Sequence, residues 1–244
     1  VIEIENLRKA YSGRPVLDGL SLTIERGRTL GVIGPGGCGK TVLLKLIAGL
    51  ETPDAGRIVV DGREITGMTE AQLVEERAKM GMLFQNYALF DSMTVADNVA
   101  FPIVRGNPID AATMALVSEK LAQVGLAGSE RLLPRELSGG MKKRVGVARA
   151  LIAKPPYLLL DEPSAGLDPV STRTVNELIA RLRDEEGFTA LVSSYDFEAI
   201  RDIVDNVLLL DGGTAVFCGT PQEIDTSNDK TVRHFIDGIE VEAV

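Results

Sequence analysis

Eight consecutive residues, Gly34-Pro35-Gly36-Gly37-Cys38-Gly39-Lys40-Thr41, combine the backbone freedom, the ammonium and the hydroxyl that a polyphosphate site needs. Glycines let backbone N–H groups converge on an anion, and a helix beginning at the loop adds positive potential. In that role Lys40 reaches the β- and γ-phosphates, and the Thr41 hydroxyl ligates Mg²⁺. Much later in the chain, Asp161 and Glu162 follow the apolar run Tyr157-Leu158-Leu159-Leu160. A carboxylate at such a strand end can hold Mg²⁺ through water, opposite Thr41, and the next one can polarise the water that attacks a γ-phosphate. Either feature alone would pass for a glycine turn or a solvated loop start. Together they describe triphosphate hydrolysis.

These groups need a scaffold, and the hydrophobic pattern supplies one. Thr29 to Ile33 reads as a buried strand into the glycine loop, and Val42, Leu43, Leu44, Leu46 and Ile47 as the inner face of the helix leaving it. Ile2, Ile4 and Leu7 alternate with polar residues in a first strand ending near Tyr11, and Leu20, Leu22 and Ile24 repeat the pattern. Asp61-Gly62 marks a hairpin, and Thr69 with Gln72 a capping box opening a helix through about Lys79. Met80 to Phe84 is a short strand ending at Gln85. From 86 to 135 alternation gives way to helical spacing, with Met114, Val117, Leu121 and Val124 on one face. This stretch is expected to be an inserted helical lobe. Ser138 reads as the N-cap of the next helix, with Lys142, Lys143 and Arg144 on its solvated face. Asp168 and Pro169 open another helix, Asp196 a further one, and Asp211-Gly212-Gly213 turns a closing hairpin.

The 244 residues suffice for one large domain, and 45% hydrophobic with 25% charged residues is the composition of a soluble globular protein. No run reaches the length of a membrane span, and the alternating start Val1-Ile2-Glu3-Ile4-Glu5 shows neither the basic n-region nor the apolar h-region expected of a secretory signal. Without an initiator Met, the numbering is expected to begin inside the reading frame. A net charge of −9 argues against broad nucleic-acid binding. Cys38 and Cys218 form neither a disulfide framework nor a metal pattern, and Cys38 is read as a small residue that fits the loop rather than a redox centre. His234 is the only histidine, so histidine-based catalysis has almost no material.

With these residues in view the chain resembles the nucleotide-binding subunit of an ATP-binding cassette (ABC) transporter over nearly all its length. Leu137-Ser138-Gly139-Gly140-Met141 resembles the family's signature sequence, and Ser164-Ala165-Gly166-Leu167-Asp168 its D-loop. Gln85 falls at the Q-loop glutamine, by the metal and the reacting centre, and Tyr11 at the aromatic that stacks on adenine. The resemblance implies nucleotide contacts from Gly34 through Val42 and at Asp168. It implies that Ser138, Gly139 and Gly140 bind the γ-phosphate of ATP held on a second copy, in a head-to-tail homodimer driving transmembrane permease subunits at the cytoplasmic face of the inner membrane. The expected fold is α/β, a P-loop NTPase with a largely parallel core sheet, an antiparallel portion and the helical insertion. Tyr195, in Ser194-Tyr195-Asp196, stands where the family has a histidine that helps hold the attacking water. It keeps a hydroxyl donor but cannot be an imidazole, so slowed hydrolysis is expected.

Within the family, the run from Leu83 to Val95, Asn98 to Pro102, Met141 and the tail Arg233 to Gly238 resemble ATPases of Mce-type lipid transporters. There residues 229–244 would reach the partner ATPase through Phe235, Ile236 and Ile239, or else pack on their own domain. Tyr87, Leu89 and Phe90 would meet the membrane partner. A polar amino-acid importer ATPase is the alternative cargo reading, and a nucleotide-dependent dimerising scaffold the alternative to turnover. A DNA-repair ATPase would need a long coiled-coil insertion, a translation factor a second cassette, and a small-molecule kinase would lack the signature.

Overall fold

The computed structural model describes residues 1–85, 88–104 and 106–237, in two compact units. The first comprises Val1–Arg77 and the chain from Thr189 onward; the second is Ala78–Phe188.

In the first unit, β1 (Ile2–Tyr11) pairs antiparallel with β2 (Arg14–Ile24) and β4 (Ala55–Val60), and β5 (Arg63–Glu64) extends the sheet. The alternation of β1 breaks at Asn6, whose φ of 48° makes a bulge, and its N–H donates to Ser21 Oγ at 2.9 Å. Asparagine tolerates the left-handed region, and the shifted register turns Leu7 into the core. Asp61 and Gly62, at φ 51° and 78°, make the two-residue turn that the Asp-Gly pair predicts.

Beside this sheet lies a second set of strands in the order β10-β9-β3-β8: β3 (Thr29–Ile33), β8 (Thr189–Ser194), β9 (Asn206–Asp211) and β10 (Thr214–Gly219). β3 runs parallel to β8 and β9, and β9–β10 is the antiparallel hairpin expected at Asp211-Gly212-Gly213. Every residue of β3 and β8 is buried, as strands covered on both faces require. α1 (Lys40–Ile47) follows β3, burying Leu43, Leu44, Leu46 and Ile47, while Val42 is only half-buried and stands at the edge of that face. α2 (Glu70–Arg77) opens on the Thr69–Gln72 capping box, with Thr69 N–H donating to Gln72 Oε1 at 2.9 Å, and stops two residues before Lys79.

The second unit holds β6 (Met80–Leu83) parallel to β7 (Tyr157–Asp161), with α3 (Val95–Val104), α4 (Ala111–Gln123), α5 (Gly139–Leu151) and α6 (Pro169–Glu186). It is wider than the helical stretch 86–135, taking in both strands, α5 and α6. α5 lies so close on β6 that a Cβ on Gly81 would stand 2.2 Å from Ala150 O. In α4, Val117 and Leu121 are fully buried, whereas Met114 is exposed on the first turn and leaves the expected stripe. Each buried aliphatic there contributes about 1.5–3 kcal/mol. Lys120, itself buried, ties α4 to the end of α6 through Glu186 at 2.6 Å. No helix among the described residues is long and apolar enough to cross a membrane.

Candidate functional site

The glycine loop leaves β3 where the backbone has no room for side chains. Gly34 has φ +148°, and a Cβ there would meet Leu210 O at 2.2 Å. Gly39, at φ +108°, caps α1 without a side-chain hydrogen bond, and a Cβ there would stand 2.9 Å from Val16 O. The loop therefore keeps its curl only with glycine at both ends. Lys40 is 8% exposed, its Nζ donating to Gly34 O at 2.7 Å and Pro35 O at 3.1 Å, so the ammonium sits in the curl of its own loop. Cys38 faces inward, its Sγ 2.8 Å from where a Gly34 Cβ would be, and burial raises its thiol pKa. That keeps it a thiol and fits a space-filling role. Thr41 opens α1 beside Lys40.

Tyr11 stands 42% exposed at the end of β1; its hydroxyl donates to the Glu51 carboxylate, and Lys9 Nζ lies 5.3 Å from the ring centroid. Tyr195 follows β8 and is 56% exposed, on a turn in which Ser194 Oγ accepts from Asp196 N–H and donates to Asp196 O. α9 (Lys230–Asp237) buries Val232 and half-buries Phe235 and Ile236; Ile239 lies outside the described residues.

The second unit carries the carboxylates. β7 is buried throughout, and it delivers Asp161 (2% exposed) and then Glu162 (6%). Glu162 has φ 50°, a left-handed conformation that costs a non-glycine residue about 1–2 kcal/mol. Lys143 departs from the solvated face expected of it. It is fully buried, and its Nζ donates to Glu162 O at 2.7 Å and to Gln85 O at 3.1 Å. Burial lowers its pKa from 10.5 to about 8, opposed by the charges of Glu162 and Asp161. The reason is visible along α5: Val145 to Leu151 are all buried, so the helix has no solvent side beyond its first turn. Arg149, also buried, donates to Ala88 O at 2.6 Å.

At the start of the same helix Ser138 is exposed and caps it, Oγ accepting from Met141 N–H at 3.2 Å, with Gly139 and Gly140 as the first helical residues. Asp168 caps α6: Oδ1 accepts from Val170 and Ser171 N–H at 3.0 Å each, and Oδ2 from Ser171 Oγ at 2.5 Å. Those bonds from Ser171 hold its pKa down. Gln85 is exposed just beyond β6. Asn86 and Tyr87 lie outside the described residues; beyond them Phe90 and Phe101 form an exposed pair with centroids 4.7 Å apart.

Residues 17–165 match the ABC transporter family. The methionine import ATP-binding protein MetN of Mesorhizobium japonicum is 41% identical over 217 residues, covering 88% of this chain and 59% of its own. The intermembrane phospholipid transport system ATP-binding protein MlaF of Escherichia coli K12 is 38% identical over 240 residues, covering 98% of this chain and 89% of its own. The chain thus spans less than two thirds of the MetN relative. Among solved structures, the ATP-binding cassette MJ0796, a dimer in a post-hydrolysis state bound to ADP and Pi, superposes with a TM-score of 0.83 at 27% identity, over 91% of this chain and 99% of that one. The structure of cbiO1 from Clostridium perfringens, part of the transporter complex cbiONQ, gives 0.85 at 28%, over 98% and 96%. The chain belongs to the ABC transporter family and has the P-loop fold of its ATP-binding cassettes.

Proposed function

We propose that this chain hydrolyses ATP as the motor subunit of a membrane transporter whose cargo is a lipid. The observation that carries the motor reading is the loop before α1, where Gly34 and Gly39 admit no side chain and Lys40 is held in the curl. Lys40 and the loop amides bind the phosphates, and Tyr11 stacks on the base. Thr41 and Asp161 would hold the metal, both being the hard oxygen donors that Mg²⁺ takes. When bound, Mg²⁺ neutralises phosphate charge; Glu162, with Gln85, polarises the attacking water. Ser138, Gly139 and Gly140, at the N-terminus of α5, take the γ-phosphate of ATP on a second copy in a head-to-tail pair. Asp168 fixes the start of α6 next to that contact. Residues 86–135 form the helical lobe, and Phe90 with Phe101 offers the apolar surface for permease subunits at the cytoplasmic membrane face. Residues 229–244 strengthen the pair.

The lipid reading is supported by the MlaF relative, which aligns with 98% of this chain against 88% for MetN. The higher identity of MetN, 41%, favours the second reading, an amino-acid importer motor. Purifying the chain with its membrane subunits and identifying the bound cargo by mass spectrometry separates them: phospholipid supports the first, amino-acid binding the second.

Two substitutions test the residue roles. Tyr11→Ala is expected to raise the KM for ATP about tenfold at nearly constant kcat, since stacking on a base is worth about 1–3 kcal/mol. Tyr195→His, in steady-state phosphate release, is expected to raise kcat about tenfold or more, because a second polar group on the reacting water acts in the transition state. Unchanged turnover would make the tyrosine a competent substitute.

A further inference from the structure

Three non-glycine residues of the second unit have positive φ among the described residues: Ala88, Lys154 and Glu162. The carbonyls of two of them are held by buried cations of one helix, α5. Arg149 donates to Ala88 O at 2.6 Å, and Lys143 to Glu162 O at 2.7 Å. Lys143 also donates to Gln85 O at 3.1 Å. One ammonium therefore joins the backbones of the two residues that handle the attacking water, from the helix that Ser138 caps.

We infer that Lys143 is a positioning residue for hydrolysis: by tying the Glu162 and Gln85 carbonyls together it sets where the Glu162 carboxylate stands. The inference rests on the reading of Glu162 as the catalytic carboxylate. A strained backbone persists only where its surroundings over-determine it. Here the constraint on Glu162 includes a charge-assisted hydrogen bond to its own carbonyl, stronger than a neutral one. A side chain needed only to fill the space would be served by methionine, which has nearly the same length and no desolvation cost. A buried ammonium is an expensive filler, and the bonds it donates to the Glu162 and Gln85 carbonyls give a reason for its presence. The tether also joins Gln85 to Glu162 directly, and Arg149, on the same helix as Lys143, fixes Ala88 three residues beyond Gln85. A shift of the segment that begins at Gln85 is thereby felt at Glu162.

The test is steady-state ATP hydrolysis by the purified full chain carrying Lys143→Met, Lys143→Gln or Glu162→Gln, with ATP binding and thermal melting measured alongside. Misplacing a catalytic group by about 1 Å costs up to about a hundredfold, so Lys143→Met is expected to lose about ten- to a hundredfold in kcat with the KM for ATP within about twofold. Lys143→Gln keeps N–H donors without the charge and is expected to recover kcat to within about threefold of the parent. Folded Lys143→Met with kcat within about twofold of the parent overturns the inference, as does a parallel loss of kcat and ATP affinity. If Lys143→Met does not fold, Lys143→Gln decides: a parallel loss of kcat and ATP affinity overturns the inference. If Glu162→Gln itself keeps full turnover, the catalytic reading beneath the inference fails; if only Lys143→Met is silent, the inference alone does.

Discussion

Glu162→Gln is expected to lower ATP turnover by about 10²–10⁴-fold while leaving ATP binding within a few fold. The substitution is nearly isosteric. The side chain is 6% exposed at the end of a buried strand, and its backbone carbonyl keeps its bond to Lys143 Nζ. What is lost is the carboxylate's capacity to accept a proton or polarise a water, together with its charge beside Lys143. The residue's backbone is consistent with the proposed role: at φ 50° it holds a left-handed conformation that costs a non-glycine residue about 1–2 kcal/mol. Phosphate release at saturating ATP measures the first effect, and titration with a fluorescent ATP analogue the second. Loss of both together would instead make Glu162 part of the binding site.

Asn98→Ala is expected to cost about 3–5 kcal/mol of stability, and to lower the Tm by about 10 °C. Asn98 is fully buried in α3, where its amide serves the turn that precedes the helix. Oδ1 accepts from Phe90 N–H at 2.8 Å, and Nδ2 donates to Phe90 O, Met93 O and Thr94 O at 3.1, 3.2 and 3.0 Å. Alanine removes all four contacts and leaves the part-buried N–H and C=O of Phe90 without this partner, each worth about 1–3 kcal/mol. Thermal melting measures the loss. Because Phe90 carries half of the exposed aromatic pair, the same variant is expected to couple poorly to permease subunits even below its melting temperature. A Tm within 2–3 °C of the parent, roughly 1 kcal/mol, would show that water replaces the amide.

Asn98 and Lys143 also mark where sequence reasoning ran short. The glycine loop, the strand before it and Asp161-Glu162 were legible because their physics is local: spacing of glycines, an apolar run and a charge at its end. The caps at Ser138, Asp168 and Asp196 were legible for the same reason, each confirmed by side-chain acceptance of a backbone N–H. Three basic residues in succession predict a solvated face, and Lys143 departs from it. The contrary signal was present in Val145 to Leu151, almost unbroken in apolar character, which marks a helix surrounded by protein. Lys143 shares a face with Val147 and Ala150, so the cation had to be buried with them. Asn98 sits between buried Ala96 and Val99, where a lone amide requires partners that only tertiary structure can supply. The bulge at Asn6 and the exposure of Met114 likewise depend on neighbours distant in sequence.

The proposed function requires ATP to hold two copies of this chain together through Ser138 and the glycine loop, and Glu162 to end that state. Light scattering of the Glu162→Gln chain during gel filtration, with and without Mg²⁺ and ATP, tests it most directly. The expected mass is that of one 26.2 kDa chain without nucleotide and of two with it, with reversal of that shift when Ser138→Arg is added. A chain that binds ATP yet keeps the same mass throughout would contradict it.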